Sequence, residues 1–444
     1  MIPKVRYSYG CKEEVIGGEA SMHISGEVKP AFEPVRELFQ QSLSAARDKN
    51  AQLCIYVGEE RVVDLWASSG SDDFSADTLV NVFSSGKSLE SILMAMLADQ
   101  GLLDFTKPVS AYWPEFVGAD KDMLTVADVM RHEGGLAQLN VTLSAAQLET
   151  SALQQNSVGS ILEQHPLRFP EGDSPREYHA ITRGWIVNEI FRRIEPSNKT
   201  LGEYLRAHIS EPLGVDIYFD VTEDEARRVC RVQPRSLTAQ LLDSVAPGSQ
   251  ARKIGLTPSE LFRRARKLIA AFSGGARAKL PMPLEGWKEE NYGIFDSPAY
   301  RPAQIPSAGA KCSARGLAKL AAAMANGGQI QGHTVLGQTG HHALHAVPVA
   351  RSMTIMDGSF TQGGLAYFSE ADAAKGPLEA GLNAGRGGFY GWMGLGGSVF
   401  QWHPEHRIGF AYVPTALNPI DLFNERGKSY QRAMLRCVEA ITTP

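Results

Sequence analysis

The sequence has few cysteines, and their spacing does not join them into a site. Five occur among 444 residues, none in a CxxC pair: Cys11, Cys54, Cys230, Cys312 and Cys437. An odd number of widely separated cysteines argues against both a disulfide framework and a zinc site. We therefore expect a chain that works in a reducing compartment.

Long apolar runs are also missing. No window approaches the roughly 18 apolar residues that cross a membrane, and the first residues lack the apolar stretch of a secretory leader. The net charge is only −5 at pH 7, and lysine and arginine are scattered along the chain. These absences predict a cytoplasmic protein whose partner is neither a membrane nor a nucleic acid.

The GxSxG pentapeptide is absent as well. This argues against an ordinary α/β-hydrolase, because that fold presents its nucleophilic serine on such a strand-to-helix elbow. The sequence does have the composition of a large globular protein, with 43% hydrophobic and 21% charged residues. Its length suffices for an extensive core or for about two or three domains.

The apolar patterns near the two chain ends predict an α/β (α+β) fold with an antiparallel sheet. Two pairs of short apolar runs predict hairpins: Gln52–Val57 with Arg61–Ala67, and Ser398–His403 with Ile408–Val413. Helical periodicity flanks these hairpins in three segments: Lys29–Asn50, Ser313–Met324 and Lys428–Ile441. We therefore expect helices on both sides of a sheet to which both chain ends contribute.

The middle of the chain has mainly helical patterns, at Ile181–Ile194, Leu201–Ile209 and Pro258–Phe272. This order predicts two domains. Residues 1–123 and 273–444 form an α/β domain with the central antiparallel sheet, and residues 124–272 form an all-helical insert. A catalytic cleft between them is the expected site.

The segment Thr78–Gly101 combines a short β-branched run with a helical pattern. Ser84 and Lys87 lie where this helix begins, on one face. Backbone N–H groups in the first turn of a helix stabilise an oxyanion, and a lysine whose pKa is lowered by burial can take the proton of a serine hydroxyl. The SxxK pattern therefore predicts Ser84 as a nucleophile and Lys87 as its base.

The same letters allow other interpretations. Gly86, Lys87 and Ser88 match the end of a phosphate-binding P-loop, but that motif needs a glycine where the chain has Asn81. No later apolar run ends in an aspartate suited to magnesium. Nucleotide binding is therefore the weakest of the three interpretations, and an ordinary capped helix ranks between it and the serine-lysine pair.

Tyr178 is the next candidate, since it follows a loop rich in glycine and proline and precedes a helix that starts near Ala180. At such a place its hydroxyl can exchange a proton with a leaving group, as base and acid. On position alone, a tyrosine ring packed at an interdomain edge fits slightly better.

The segment Gly391–Trp402, GWMGLGGSVFQW, is rich in glycine and leads into a strand. Glycines of this kind allow backbone to approach a substrate closely, and a strand edge can supply an N–H to an oxyanion hole. A bulge or tight bend in an edge strand explains them equally well.

At these residues the sequence resembles the serine β-lactamase-related superfamily, in its class C β-lactamase-like branch of family VIII carboxylesterases and D-aminopeptidases. Three motifs match in the family's order: SxxK at Ser84–Lys87, the tyrosine of YxN or YxS at Tyr178–Ala180, and the KTG, HTG, HGG or WGG element at Trp392–Gly394. Arg131–Leu136 and Glu211–Gly214 resemble two smaller family segments. The likeness spans Phe32 to Thr415, most of the chain.

The resemblance implies a β-lactamase/penicillin-binding-protein-like fold and an acyl-enzyme mechanism that needs neither cofactor nor metal. It assigns the attack to Ser84, the base to Lys87 and proton transfer to Tyr178. The backbone N–H groups of Ser84 and Leu395 would hold the oxyanion, with Trp392 and Gly394 beside the substrate.

Two departures from the family pattern point to the substrate. Trp392 stands where a β-lactamase has a lysine that helps hold the drug's carboxylate, and Ala180 stands where it has an asparagine. Because an apolar ring suits an uncharged group, we expect a carboxylesterase for small uncharged esters, with at most weak β-lactamase activity.

Other functions of the superfamily stay open, namely acyl transfer, cleavage of D-amino-acid peptides, and a non-catalytic filament or scaffold role. The expected partner is a small-molecule ester or amide, and a homo-oligomer is left open. Two groups of histidines have spacings that suit a metal: His341, His342 and His345, and His403 with His406. Since neither has a carboxylate or cysteine partner at fixed spacing, we interpret them as exposed loop residues.

Overall fold

The protein is described by a computed structural model. It covers residues 23–46, 50–68, 73–118, 120–170, 173–246, 280–288, 291–353 and 356–442, with a few positions between 257 and 266. The strands of the described part are β1 His23–Val28, β2 Ala51–Val57, β3 Glu60–Ser68, β4 Leu79–Asn81, β5 Ile217–Tyr218, β6 Val229–Cys230, β7 Gln233–Pro234, β8 Lys311–Cys312, β9 Gln329–Ile330, β10 His333–Thr334, β11 Val349–Met353, β12 Met356–Phe360, β13 Ala366–Tyr367, β14 Tyr390–Met393, β15 Val399–His403, β16 Ile408–Pro414 and β17 Ala416–Leu417.

The helices of the described part are α1 Glu33–Ala46, α2 Lys87–Asp99, α3 Val126–Met130, α4 Thr150–Gln154, α5 Gly159–Gln164, α6 Thr182–Ile194, α7 Leu201–Leu205, α8 Glu211–Leu213, α9 Glu223–Ala226, α10 Leu237–Val245, α11 Ala314–Ala325, α12 Gln338–His345, α13 Glu370–Ala373, α14 Pro377–Asn383 and α15 Glu425–Thr442. Short 3₁₀ turns connect several of them, and a π-helical turn at Arg206–Ser210 joins α7 to α8.

The largest sheet has nine strands in the order β1-β3-β2-β16-β15-β14-β13-β12-β11, all antiparallel. The strands of the two chain ends join where β2, from the N-terminal part, pairs with β16, from the C-terminal part. This confirms the predicted antiparallel sheet to which both chain ends contribute.

Strand β16 shows why the sheet is covered on both faces. Phe410 and Tyr412 join one apolar core, whereas Ala411 and Val413 join the other. Successive side chains of a strand point to opposite faces, so a continuous apolar run requires a layer on each side. Helices α1 and α15 pack together on the first face, and α11 covers β16 and β2 on the second.

A smaller, four-stranded sheet holds the strand that leads to Ser84. Its order is β5-β8-β4-β6, which places β4 between β8 and β6. Strands β5 and β6 come from the middle of the chain, which is mainly helical and also contains these short strands. The domain boundaries at 123/124 and 272/273 stay a prediction.

The sequence placed most of these elements within a few residues. Helix α6 and both hairpins lie where the patterns predicted them, and Gly101 has the positive φ of +72° expected of a residue that ends a helix. The predicted helix Pro258–Phe272 lies largely outside the described residues. Within the described part of the chain, no helix is both long and apolar enough to cross a membrane.

The cysteines depart from expectation at one position. Cys54, Cys312 and Cys437 are buried free thiols, whereas Cys230 is disulfide-bonded. The spacing argument against disulfides does not hold for Cys230, because distance along the chain does not limit which thiols a fold brings together.

Candidate active site

Ser84 lies on a tight turn between β4 and α2. The turn is a 3₁₀ helix, Phe83–Gly86, and Phe83 has a φ of +47°. A non-glycine residue in this region costs about 1–3 kcal/mol and persists only where the surroundings impose it. The turn leaves Ser84 half-buried, while Ser85 and Lys87 are buried.

The loop between β14 and β15 lies very close to this turn. Ser398 donates a hydrogen bond to the Val82 carbonyl (2.6 Å) and lies 3.0 Å from Ser85 Oγ. A Cβ on Gly394 would overlap both the Val82 carbonyl oxygen and Ser398 Oγ. Gly394 therefore allows two protein segments to approach each other closely, and the predicted approach of this segment to a substrate stays a prediction.

Lys87 is buried without a carboxylate in contact with its amine. The residue is 2% exposed. Its Nζ donates to the carbonyls of Ala180 (2.6 Å) and Ser307 (2.9 Å). The Nζ also lies 3.2 Å from Ser84 Oγ. Burial, and secondarily the nearby Arg183, holds the pKa of Lys87 well below its ordinary 10.5, although Glu90 opposes the shift. With its amine engaged by protein carbonyls, this lysine does not suit the phosphate contact of a P-loop.

Tyr178 lies across from this lysine. Its hydroxyl is hydrogen-bonded to Ser84 and accepts a hydrogen bond from the indole N–H of Trp392 (2.8 Å). The Lys87 Nζ is 4.9 Å from the centre of the tyrosine ring. Burial raises the pKa of Tyr178 to about 12, more than its two hydrogen bonds lower it. The phenol is therefore protonated at neutral pH.

A buried ion pair lies behind Lys87. Arg183 pairs with Glu90 at 2.9 Å, and both side chains are at most 1% exposed. Arg183 also donates to the Lys87 carbonyl (2.7 Å), and the hydroxyl of Ser307 donates to Glu90. Glu90 lies one helical turn after Lys87, but its carboxylate oxygens bind the arginine and the serine and not the lysine amine.

The structure brings four of the six predicted site residues into one hydrogen-bonded group or its immediate frame: Ser84, Lys87, Tyr178 and Trp392. Gly394 lies against the Val82 carbonyl and Ser398, next to the turn that carries Ser84. Leu395 follows Gly394, and its half-buried side chain packs against the apolar core.

Trp392 forms part of an aromatic wall. Its ring lies 5.4 Å from Phe360 and 6.3 Å from Phe368, and 6.0 Å from Tyr178 (centroid distances). Aromatic pairs at such distances bury apolar area and fix ring orientations. The position that a cation occupies in the resembled β-lactamases is here an apolar surface with one N–H.

The interpretation as exposed loop residues is wrong for His341, His342 and His345, because they lie on helix α12, which the sequence analysis missed. His345 also accepts a hydrogen bond from Trp402 (2.9 Å). The interpretation is wrong too for His403, which is buried at the end of the predicted strand β15, whereas His406 lies in the turn after that strand. Among the described residues, no group of three or more His, Cys, Asp or Glu side chains is arranged to hold a metal.

Sequence reasoning missed Glu90, Arg183 and Ser307. Glu90 carried one usable signal, its spacing of three residues from Lys87 on the same helix. Arg183 is 93 positions from Glu90, and nothing local marks it. Ser307 acts on Lys87 through a backbone carbonyl, which any residue type has.

Comparison with known proteins gives a consistent result. A family model described as Beta-lactamase matches residues 35–433. The esterase/beta-lactamase LipL of Mycobacterium tuberculosis is 28% identical over 416 residues, 93% of this chain and 87% of that protein.

Two solved structures have closely similar folds. A family VIII carboxylesterase superposes with a TM-score of 0.72 at 25% identity, covering 94% of this chain and 100% of that one. A penicillin-binding protein homolog from Caulobacter crescentus gives a TM-score of 0.70 at 25% identity with the same coverage. These matches confirm the predicted fold class and the family resemblance, and since the family model spans most of its length, the chain belongs to the Beta-lactamase family.

Proposed function

We propose that this serine hydrolase cleaves small uncharged carboxylic esters through an acyl-enzyme on Ser84. The observation that carries the proposal is the environment of Lys87, whose amine contacts two carbonyls and the Ser84 hydroxyl. Family membership and the esterase relatives support hydrolysis.

A neutral lysine amine has two N–H bonds and one lone pair. In this site the two hydrogens go to the carbonyls of Ala180 and Ser307, so the lone pair is left for the hydroxyl of Ser84, 3.2 Å away. The lowered pKa of Lys87 favours this neutral form. Lys87 then accepts the serine proton as Ser84 attacks the ester carbonyl.

Tyr178 acts as the proton donor. Because its pKa is raised to about 12, the hydroxyl keeps its proton at neutral pH. The indole of Trp392 only donates to its oxygen, so this contact leaves the tyrosine proton available for transfer. Tyr178 protonates the departing alcohol oxygen. Lys87 then passes to Tyr178 the proton that it took from Ser84. Water then hydrolyses the acyl-enzyme by the reverse transfers.

The oxyanion is held by the backbone N–H groups of Ser84 and Leu395. Both belong to turns that the Ser398 hydrogen bonds fix against each other. Each such donor contributes on the order of 10²–10³ in rate when it is aimed at the developing charge.

The wall around Trp392 sets the substrate class. It presents the Trp392 ring, backed by the buried Phe360 and Phe368, and its indole N–H is already bonded to Tyr178. A carboxylate placed against it would therefore lose hydration without gaining a cation. An uncharged acyl or alcohol group loses little hydration free energy there. The site thus favours neutral esters over β-lactams, which carry a carboxylate.

The nucleophile is tested with a nitrophenyl ester in single-turnover and steady-state assays. We expect a burst of nitrophenol equal to the enzyme concentration, because acylation of Ser84 releases the phenol before hydrolysis. The burst and covalent labelling by a fluorophosphonate should both vanish in Ser84→Ala, while Ser85→Ala keeps them. Labelling that persists in Ser84→Ala would overturn the assignment.

The base is tested by the pH dependence of kcat/KM. Protonated Lys87 has no lone pair, so activity should fall as pH decreases through its pKa, with a midpoint well below 10.5. No alkaline loss should occur while Tyr178, with a pKa of about 12, stays protonated. Lys87→Met should lower kcat/KM by roughly 10²–10⁴-fold, the usual contribution of a general base. Full turnover by that variant, or a midpoint near 10.5, would contradict the role.

The substrate class is tested with two esters that differ only in a carboxylate on the acyl part. Wild-type enzyme should prefer the neutral ester, and Trp392→Lys should narrow that preference by roughly tenfold, since a cation there is worth about 1.4 kcal/mol to the anionic ester. Trp392→Phe keeps an apolar ring and should keep the preference. An unchanged preference in Trp392→Lys would refute the role of this wall.

A further inference from the structure

His132 lies directly against Tyr178, and the proposed reaction gives it no task. The two rings are 4.7 Å apart between centroids, and His132 is fully buried. The residue follows helix α3 and has a φ of +67°, a conformation that a non-glycine residue adopts only where its surroundings favour it.

His132 binds the chain on both sides of Tyr178. Its backbone carbonyl accepts a hydrogen bond from the N–H of Glu177 (2.9 Å). Its Nδ1 accepts one from the N–H of His179 (3.1 Å). Because Nδ1 is an acceptor, the proton of the neutral imidazole is on Nε2. One residue therefore fixes the peptide groups before and after Tyr178.

The residues after His132 complete this support. Glu133 forms a buried ion pair with Arg176 (2.7 Å), and the N–H of Leu136 donates to the His179 ring (3.1 Å). The segment 132–136 thus contacts both flanks of the Tyr178 loop, while the phenol itself is bonded only at its tip, to Ser84 and Trp392.

We propose that His132 is a positioning residue that aims the Tyr178 hydroxyl at the Ser84 oxygen and the leaving group. This inference rests on the proposed function, in which Tyr178 donates the proton. A displacement of about 1 Å in a reacting group can cost roughly 10²-fold in rate, so the support of the loop determines how well the phenol serves as an acid.

The leaving group separates positioning from general structural support. A nitrophenolate departs without a proton, whereas an alkoxide needs one, so poor alignment of the acid slows alkyl esters much more than nitrophenyl esters. A loss of folded enzyme or of Ser84 reactivity slows both classes equally. The measured quantity is the ratio of the kcat/KM values, which report acylation, for an ethyl ester and a nitrophenyl ester of the same acid.

The variants are His132→Ala, Tyr178→Phe and their combination. We expect Tyr178→Phe to lower kcat/KM for the ethyl ester roughly 100-fold and His132→Ala to lower it roughly tenfold, with kcat/KM for the nitrophenyl ester changed little. The double variant should be no slower than Tyr178→Phe alone, because His132 acts only through the tyrosine.

His165→Ala is the matched control. His165 is also buried and also accepts a backbone N–H, that of Asn140 (3.0 Å). Its replacement should lower the melting temperature without changing the ester ratio. His132→Asn keeps a short acceptor and tolerates the positive φ, so it should restore part of the ethyl ester activity. If His132→Ala fails to fold, the same cycle is run with His132→Asn.

The positioning role would be overturned if His132→Ala slowed both esters equally or slowed neither. It would also be overturned if the double variant were slower than Tyr178→Phe by the full effect of His132→Ala. The two proposals fail differently. If Tyr178→Phe leaves ethyl ester turnover unchanged, the proton-donor assignment of the proposed function is wrong. If Tyr178→Phe impairs that turnover and the His132 variant does not, only the positioning role is wrong.

Discussion

The site depends on a lysine whose pKa lies well below its ordinary value although it is buried beside a carboxylate. Glu90 lies one helical turn from Lys87, and a free carboxylate there would stabilise the ammonium form and remove the base. The ion pair with Arg183 offsets part of that charge, and burial, with the repulsion of the arginine, lowers the pKa of Lys87 against the remaining effect of Glu90. Removing one partner from a buried pair leaves an uncompensated charge and costs about 3–5 kcal/mol, so loss of Arg183 would affect both the fold and the lowered pKa of the lysine.

The fold brings these groups together from four distant segments. Strand β4 and the turn after it present Ser84 and Lys87, and the helical middle of the chain supplies Tyr178 and Arg183. The segment before β8 contributes the Ser307 carbonyl, and β14 of the large sheet contributes Trp392. Because the turn contacts β14 through Ser398 and Gly394, the nucleophile is fixed to the sheet and to the helical part at once.

The sequence predicted the parts of the site that depend on residues close to one another along the chain. Ser84 and Lys87 are three residues apart at a helix start, and the alternating runs around β2, β3, β15 and β16 predict paired strands. Such signals come from spacings of a few residues. They located the nucleophile, the base and the hairpins.

The support of the site was beyond the same reasoning, for physical reasons. Arg183 is identified only by its distance to Glu90, a contact between distant parts of the chain. The carbonyls that receive the Lys87 hydrogens belong to backbone and leave no trace in residue type. His132 was noted as a family landmark, but its contacts on both sides of Tyr178 depend on three-dimensional structure. The choice between an ionised and a neutral tyrosine depends on burial, which a motif does not report.

The most direct test of this account is the pKa of Lys87 itself. Protein labelled with ¹³C at the lysine Cε positions can be titrated by NMR, with the Lys87 signal assigned as the one lost in Lys87→Met. We predict a midpoint well below the ordinary 10.5, so that the amine in contact with Ser84 is neutral in the pH range in which the enzyme is active. A midpoint at or above 10.5 would show that Lys87 is a cation there and would contradict its role as the base.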